Sequence, residues 1–210
     1  MKNYNITPVL KHGKDPCQPT NYRPISLTSV LGKLYEKILN KRLVWYLESN
    51  NLLNQHQYGF RKNRSTIHAL LDLQMNIHKA FVNRGHLYTV FFDLEKAYDL
   101  TWRYNILRTL HNMGIRGPLP YSIFSFLTNR VIQVQIGTEL SSPKIIENGF
   151  PQGSVLSVTL FLIAVNNIHS RIPFPIKYRM FADDLSISLE SNNVRHAGRV
   201  LQIAINSVQK

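Results

Sequence analysis

Residues 178–190, YRMFADDLSISLE, set Asp183 and Asp184 side by side between two apolar runs. IKYRMFA and LSISLE read as strands, joined through the acid pair. Adjacent carboxylates raise each other's cost of ionising, and a strand interior tolerates neither. A hairpin tip within reach of water accommodates both, and a plain polar turn is one outcome because Asp favours turns. LYTVFFD, residues 87–93, repeats the arrangement: a β-branched, aromatic run, apolar on both faces, predicts a buried strand ending on Asp93. If these strands neighbour each other in one sheet, their carboxylates meet at one edge. A divalent cation would remove the repulsion there.

Charge bears on what such a site would serve. The 210-residue chain carries a formal net charge of +13, and residues 1–64 hold eleven Lys/Arg against three acids. A polyanionic partner and a merely solvated basic face both explain this excess. Carboxylates at strand ends in a basic chain fit two-metal nucleotidyl transfer better than acid–base hydrolysis. No run of about 18 apolar residues predicts a membrane span. The N-terminus lacks the apolar segment of a signal peptide, and Cys17, the only cysteine, allows no intrachain disulfide and no cysteine-based zinc site. An intracellular setting is the default expectation.

Periodicity places the remaining elements. HGKDP predicts a turn and YRPISL a strand. Leu31, Leu34, Tyr35, Ile38, Leu43, Tyr46 and Leu47 recur at helical spacing across 29–49. After the loop NNLLNQHQYGFRKNR, Ser65 or Thr66 caps a second helix with Ile67, Leu70, Leu71, Ile77 and Phe81 as its stripe, stopped near Gly85. Helices are expected near 102–112 and 118–128, a half-buried strand at 131–137 with KIIENGF beside it, a buried helix within 153–168 and an amphipathic C-terminal helix. The whole predicts an α+β fold with an antiparallel sheet. Glu95 reads as a solvated acid at a helix start, and Asp99 as a cap or salt-bridge residue.

In that order, FFDLEKAYD (91–99), GFPQGSVLS (149–157) and FADD (181–184) resemble the palm motifs of reverse transcriptases. PVLKHGKDPCQPTNYRPISLTSVLGKLYEKIL, QYGFRKNRSTIHALL and LTNRVIQVQIG narrow the likeness to the reverse-transcriptase domain of non-LTR, Jockey-like retrotransposons, over about residues 6–190. The resemblance implies an RNA-directed DNA polymerase with right-hand fingers (1–86), a partial palm (87–210) and a fingers insertion near 103–150. It implies an RNA template, a DNA primer and dNTP as partners, with no membrane and an undefined oligomeric state. Asp93, Asp183 and Asp184 would be the catalytic ligands of two Mg²⁺ ions, with Mn²⁺ as an alternative. Tyr98 matches the steric gate against a 2′-hydroxyl, and Gln152 and Gly153 line the nucleotide pocket. Lys11 and Arg23 match the grip on the triphosphate, with Lys14 able to replace Lys11, and Arg61 matches a template-side nucleic-acid contact. Lys14, Lys62 and Arg64 are expected in phosphate-backbone or surface roles. Priming on chromosomal DNA would imply the nucleus.

Two departures qualify the likeness. Ser157-Val158 replaces a Gly/Ser-Pro pair common in relatives, and only 26 residues follow Asp184, so the later palm strands, primer grip and thumb are expected to be missing. The isolated chain is therefore expected to be weakly active or inactive. A non-catalytic nucleic-acid-binding remnant is the alternative reading. A phospho-acceptor signalling module would need a parallel α/β sheet that the pattern does not offer.

Overall fold

Two sheets form, and each recruits strands far apart in sequence. The computed structural model describes residues 2–94 and 96–209. These fall into two compact units, Met1–Leu52 with Lys96–Ala164 and Leu53–Glu95 with Val165–Lys210.

In the first unit, β1 (Lys2–Leu10) pairs antiparallel with β2 (Tyr22–Leu27) and parallel with β4 (Arg130–Ile136). Short strands β5 (Glu139–Leu140) and β6 (Lys144–Ile146) pair with β4, as expected for KIIENGF. The parallel β1–β4 pairing was not legible locally, because its strands lie more than a hundred residues apart. Helix α1 (Val30–Ser49) starts at Ser29, whose hydroxyl accepts the Gly32 N–H at 3.0 Å. A one-turn helix α3 (Ala97–Leu100) precedes α4 (Arg103–Asn112), α5 (Pro118–Leu127) and α6 (Val155–Val165).

The phase of α1 differs from the expected stripe. Its buried residues are Glu36, Leu39, Leu43 and Leu47, whereas Leu31, Leu34, Tyr35 and Ile38 are exposed. Glu36 explains the shift, because its carboxylate caps the start of α6. It accepts the Val155 N–H at 2.9 Å, the Leu156 N–H at 3.3 Å and the Ser154 hydroxyl at 2.5 Å. The two N–H groups are donors a helix leaves unpaired at its start, where negative charge is also favoured.

The second unit holds α2 (Thr66–Val82), β3 (His86–Phe92), β7 (Lys177–Phe181), β8 (Asp184–Ser191) and α7 (Val194–Val208). Its sheet is antiparallel in the order β3-β8-β7. Met180, Leu185, Ile187 and Leu189 form a core with Ala197, Leu201 and Ala204 of α7. Strand β3 lies at the sheet edge, half-buried, with Phe91 exposed, which corrects the expected fully buried strand. Helix α2 also turns a different face inward. Its buried residues are Asn76 and Ala80, while Ile67, Leu70, Leu71 and Phe81 are exposed. Polar anchors set that face: Arg179 of β7 pairs with Asp72 at 2.5 Å, and Lys177 donates to Asn76. A buried guanidinium must be paired, and this pairing outweighs the apolar stripe.

Candidate active site

The β3–β8 register pairs Phe92 with Leu185. One step further along this antiparallel ladder, Asp93 leaves β3 opposite Asp184, the first residue of β8. The hairpin from β7 turns through Ala182 and Asp183, with Phe181 paired to Asp184. Three carboxylates therefore gather at one end of the sheet, on the edge strand and the hairpin tip. The sequence expectation differs in one detail: β8 lies between β3 and β7, so the acid-bearing strands meet through Asp184 rather than side by side.

Electrostatics follow from this placement. Partial burial, then the carboxylates of Asp183 and Asp93, hold the Asp184 carboxyl above its ordinary value. All three influences oppose ionisation. Such a donor set suits a hard divalent cation that takes one or two carboxylates and completes its shell with water or phosphate oxygens. Among the described residues, no group of three or more His, Cys, Asp or Glu side chains is placed so as to hold a metal ion by itself.

The hairpin is held from behind by the loop after α1, which periodicity left without a role. Residue Gln57 is buried, at 3% exposure, and its side-chain amide binds the backbone of Ala182 on both sides. Arg61, expected at the template, belongs to the same brace. It is 9% exposed and donates to the Asn54 carbonyl at 2.8 Å. Arg64 donates to the Gln55 carbonyl and lies over the Tyr58 ring. Lys62 is exposed.

The remaining candidates belong to the first unit. Tyr98 on α3 is half-buried, stacked on Phe161 with ring centroids 4.6 Å apart and edge-on to Phe150 at 6.1 Å. Gln152 donates to the Asp99 carboxylate at 3.3 Å, while its carbonyl accepts the Ser26 N–H at 2.7 Å. Asp99 thus orients the glutamine. Gly153 adopts φ +99°, where a side chain would be strained. At the end of the β1–β2 hairpin, Arg23 is exposed opposite Val9, and the Lys11 ammonium donates to the Thr20 carbonyl at 3.1 Å. Lys14 is exposed in the connecting loop. Glu95 lies outside the described residues.

The family model for the reverse transcriptase (RNA-dependent DNA polymerase) matches residues 9–210. The chain belongs to this family. It is 32% identical over 205 residues to the Drosophila melanogaster protein described as "Probable RNA-directed DNA polymerase from transposon BS", covering 94% of this chain and 22% of that protein. It is 27% identical to the D. melanogaster RNA-directed DNA polymerase from mobile element jockey, covering 100% of this chain and 23% of the relative. This reverse transcriptase chain thus spans less than a quarter of the length of these curated relatives, and their kinship bears out the resemblance to non-LTR elements. A solved telomerase from Candida albicans shares the fold at a TM-score of 0.70 and 10% identity, covering 100% of this chain and 40% of that one.

Proposed function

We propose that the chain carries the polymerising site of a non-LTR retrotransposon reverse transcriptase, which adds a dNTP to the 3′-hydroxyl of a DNA primer as directed by an RNA template. The observation that carries this reading is the register bringing Asp93 opposite Asp184, beside the Asp183 turn. These three residues would hold magnesium, two ions as in the family, with Mn²⁺ as the alternative. When bound, the metal activates the attacking hydroxyl and neutralises charge on the phosphates. The aspartates would supply the negative oxygens for this, and the raised resistance of Asp184 to ionisation favours capture of a cation over a bare site.

For the candidates in the first unit, each proposed role follows from the side chain. Tyr98, fixed by its stack on Phe161, presents a rigid ring suited to excluding a 2′-hydroxyl. Gln152, oriented by Asp99, offers an amide to the nucleotide, and Gly153 lets backbone approach it closely. Arg23, exposed at the β1–β2 hairpin, suits the triphosphate through its bidentate fork, with Lys11 just beyond the end of β1, its N–H on the Asn21 carbonyl. In these terms β1, β2 and α1 serve as fingers and the β3-β8-β7 sheet as palm. A chromosomal primer would place the reaction in the nucleus.

The test is Mg²⁺-dependent binding of a fluorescent dNTP to the chain. Asp183→Asn is expected to abolish the metal-dependent component while leaving affinity for a single-stranded RNA unchanged. Metal-dependent nucleotide binding that survives the substitution would remove Asp183 from the site.

A further inference from the structure

Ala182 carries the acid-bearing turn in a conformation that its own side chain disfavours. Its φ is +57°, and in a two-residue hairpin this first central position favours glycine. Something outside the turn must hold it. Gln57 accepts the Ala182 N–H at 3.0 Å and the Gly59 N–H at 2.9 Å through its side-chain oxygen. Its side-chain nitrogen donates to the Ala182 carbonyl at 3.2 Å. Two N–H donors converge on one atom and a carbonyl faces the other, so the amide has one satisfactory orientation. Around this clamp, the Met180 N–H donates to the His56 carbonyl at 2.9 Å and the Tyr58 N–H to the Met180 carbonyl at 2.8 Å. Gly59 permits the approach, since a Cβ there would lie 2.3 Å from the Ala182 nitrogen.

We infer that Gln57 is a positioning residue for the catalytic turn: by gripping both peptide groups of Ala182 it fixes the direction in which Asp183 and Asp184 leave the backbone. This rests on the assignment of those aspartates as metal ligands. Mutual repulsion among the carboxylates cannot orient them, whereas a buried amide can. The peptide between Ala182 and Asp183 is the one whose carbonyl Gln57 holds, so release of the clamp turns the Asp183 side chain directly. Asp184 follows as the next residue and the first of β8.

The experiment titrates Mn²⁺ alone into the chain, followed by water-proton relaxation, beside thermal melting and RNA affinity. Gln57→Met keeps the length and removes the clamp. It is expected to bind Mn²⁺ about tenfold more weakly, the lower range for loss of a residue supporting metal ligands, with cooperative melting and RNA affinity retained. Adding Ala182→Gly to Gln57→Met is expected to recover most of that loss, because glycine adopts the turn unaided. A general packing defect would show no such rescue. Unchanged Mn²⁺ affinity in Gln57→Met, or failure of the rescue, overturns the inference. Should Gln57→Met fail to fold, Gln57→Glu decides: it keeps the acceptor and loses the donor to the Ala182 carbonyl. Weaker Mn²⁺ binding despite the added negative charge upholds the clamp, and equal or tighter binding refutes it. Asp183→Asn serves as the separate control. If it binds Mn²⁺ as the unsubstituted chain does, the assignment of the aspartates fails, whatever Gln57 does.

Discussion

Asp184 shows at the scale of one residue how a site strains the fold that carries it. Its folded carboxyl is held above the ordinary 3.8 by partial burial and by Asp183 and Asp93. The folded chain therefore binds this proton more tightly than the unfolded chain, and stability falls as pH rises through that window. Above the folded value both states are ionised and the full penalty is present. Asp184→Asn is accordingly expected to raise the melting temperature at pH 7, with the gain shrinking as pH falls through the folded value toward 3.8. Melting curves across that range check the sign. A lower melting temperature at neutral pH would show that the carboxylate is stabilised by its surroundings. The adjacency of Asp183 and Asp184 was legible in the sequence, as was Asp93 at a strand end. Their approach depended on the register between β3 and β8, which no local pattern encodes.

At the scale of elements, polar anchors decided which faces turn inward. The apolar stripe on α1 predicted Leu31, Leu34, Tyr35 and Ile38 as core, yet the helix is rotated so that Glu36 reaches the start of α6. A buried carboxylate accepting two backbone N–H groups and a hydroxyl is costly to lose. Glu36→Ala is expected to destabilise the chain by about 3 kcal/mol, because charged hydrogen bonds vanish and buried donors go unpaired. The urea unfolding midpoint measures this, and a loss below about 0.5 kcal/mol, within the range of an ordinary surface substitution, would show that the cap is replaceable. Helix α2 follows the same logic through Asp72 and Asn76. Strand and helix positions were mostly predictable from periodicity and caps. Which face each helix buries was not, since a single paired charge overrides several weak apolar preferences.

For the whole molecule, charge governs association. A net charge of +13 concentrates anionic partners at the surface, and the exposed cations of α1, Lys37, Lys41 and Arg42, lie beside exposed apolar residues. Affinity for a single-stranded RNA, measured by fluorescence anisotropy, is expected to fall linearly on a log–log plot as salt rises, with little dependence on base sequence. An affinity independent of salt would mean that phosphate neutralisation is not the driving force. Because the chain spans under a quarter of its curated relatives, such binding reports the surface of this portion.

The sequence by itself determined the family, the mixed α+β class and the three acids. Motif order and strand-end acids are local features, and each survives without knowledge of the chain's path. Tertiary structure alone decided that β1 pairs with β4, that Asp93 comes opposite Asp184, and that Gln57 and Glu36 are buried parts of the framework. The reason is physical. A glutamine or glutamate in a polar stretch looks solvated until the backbone groups that satisfy it arrive from more than a hundred residues away, and their burial is worth more than its exposure.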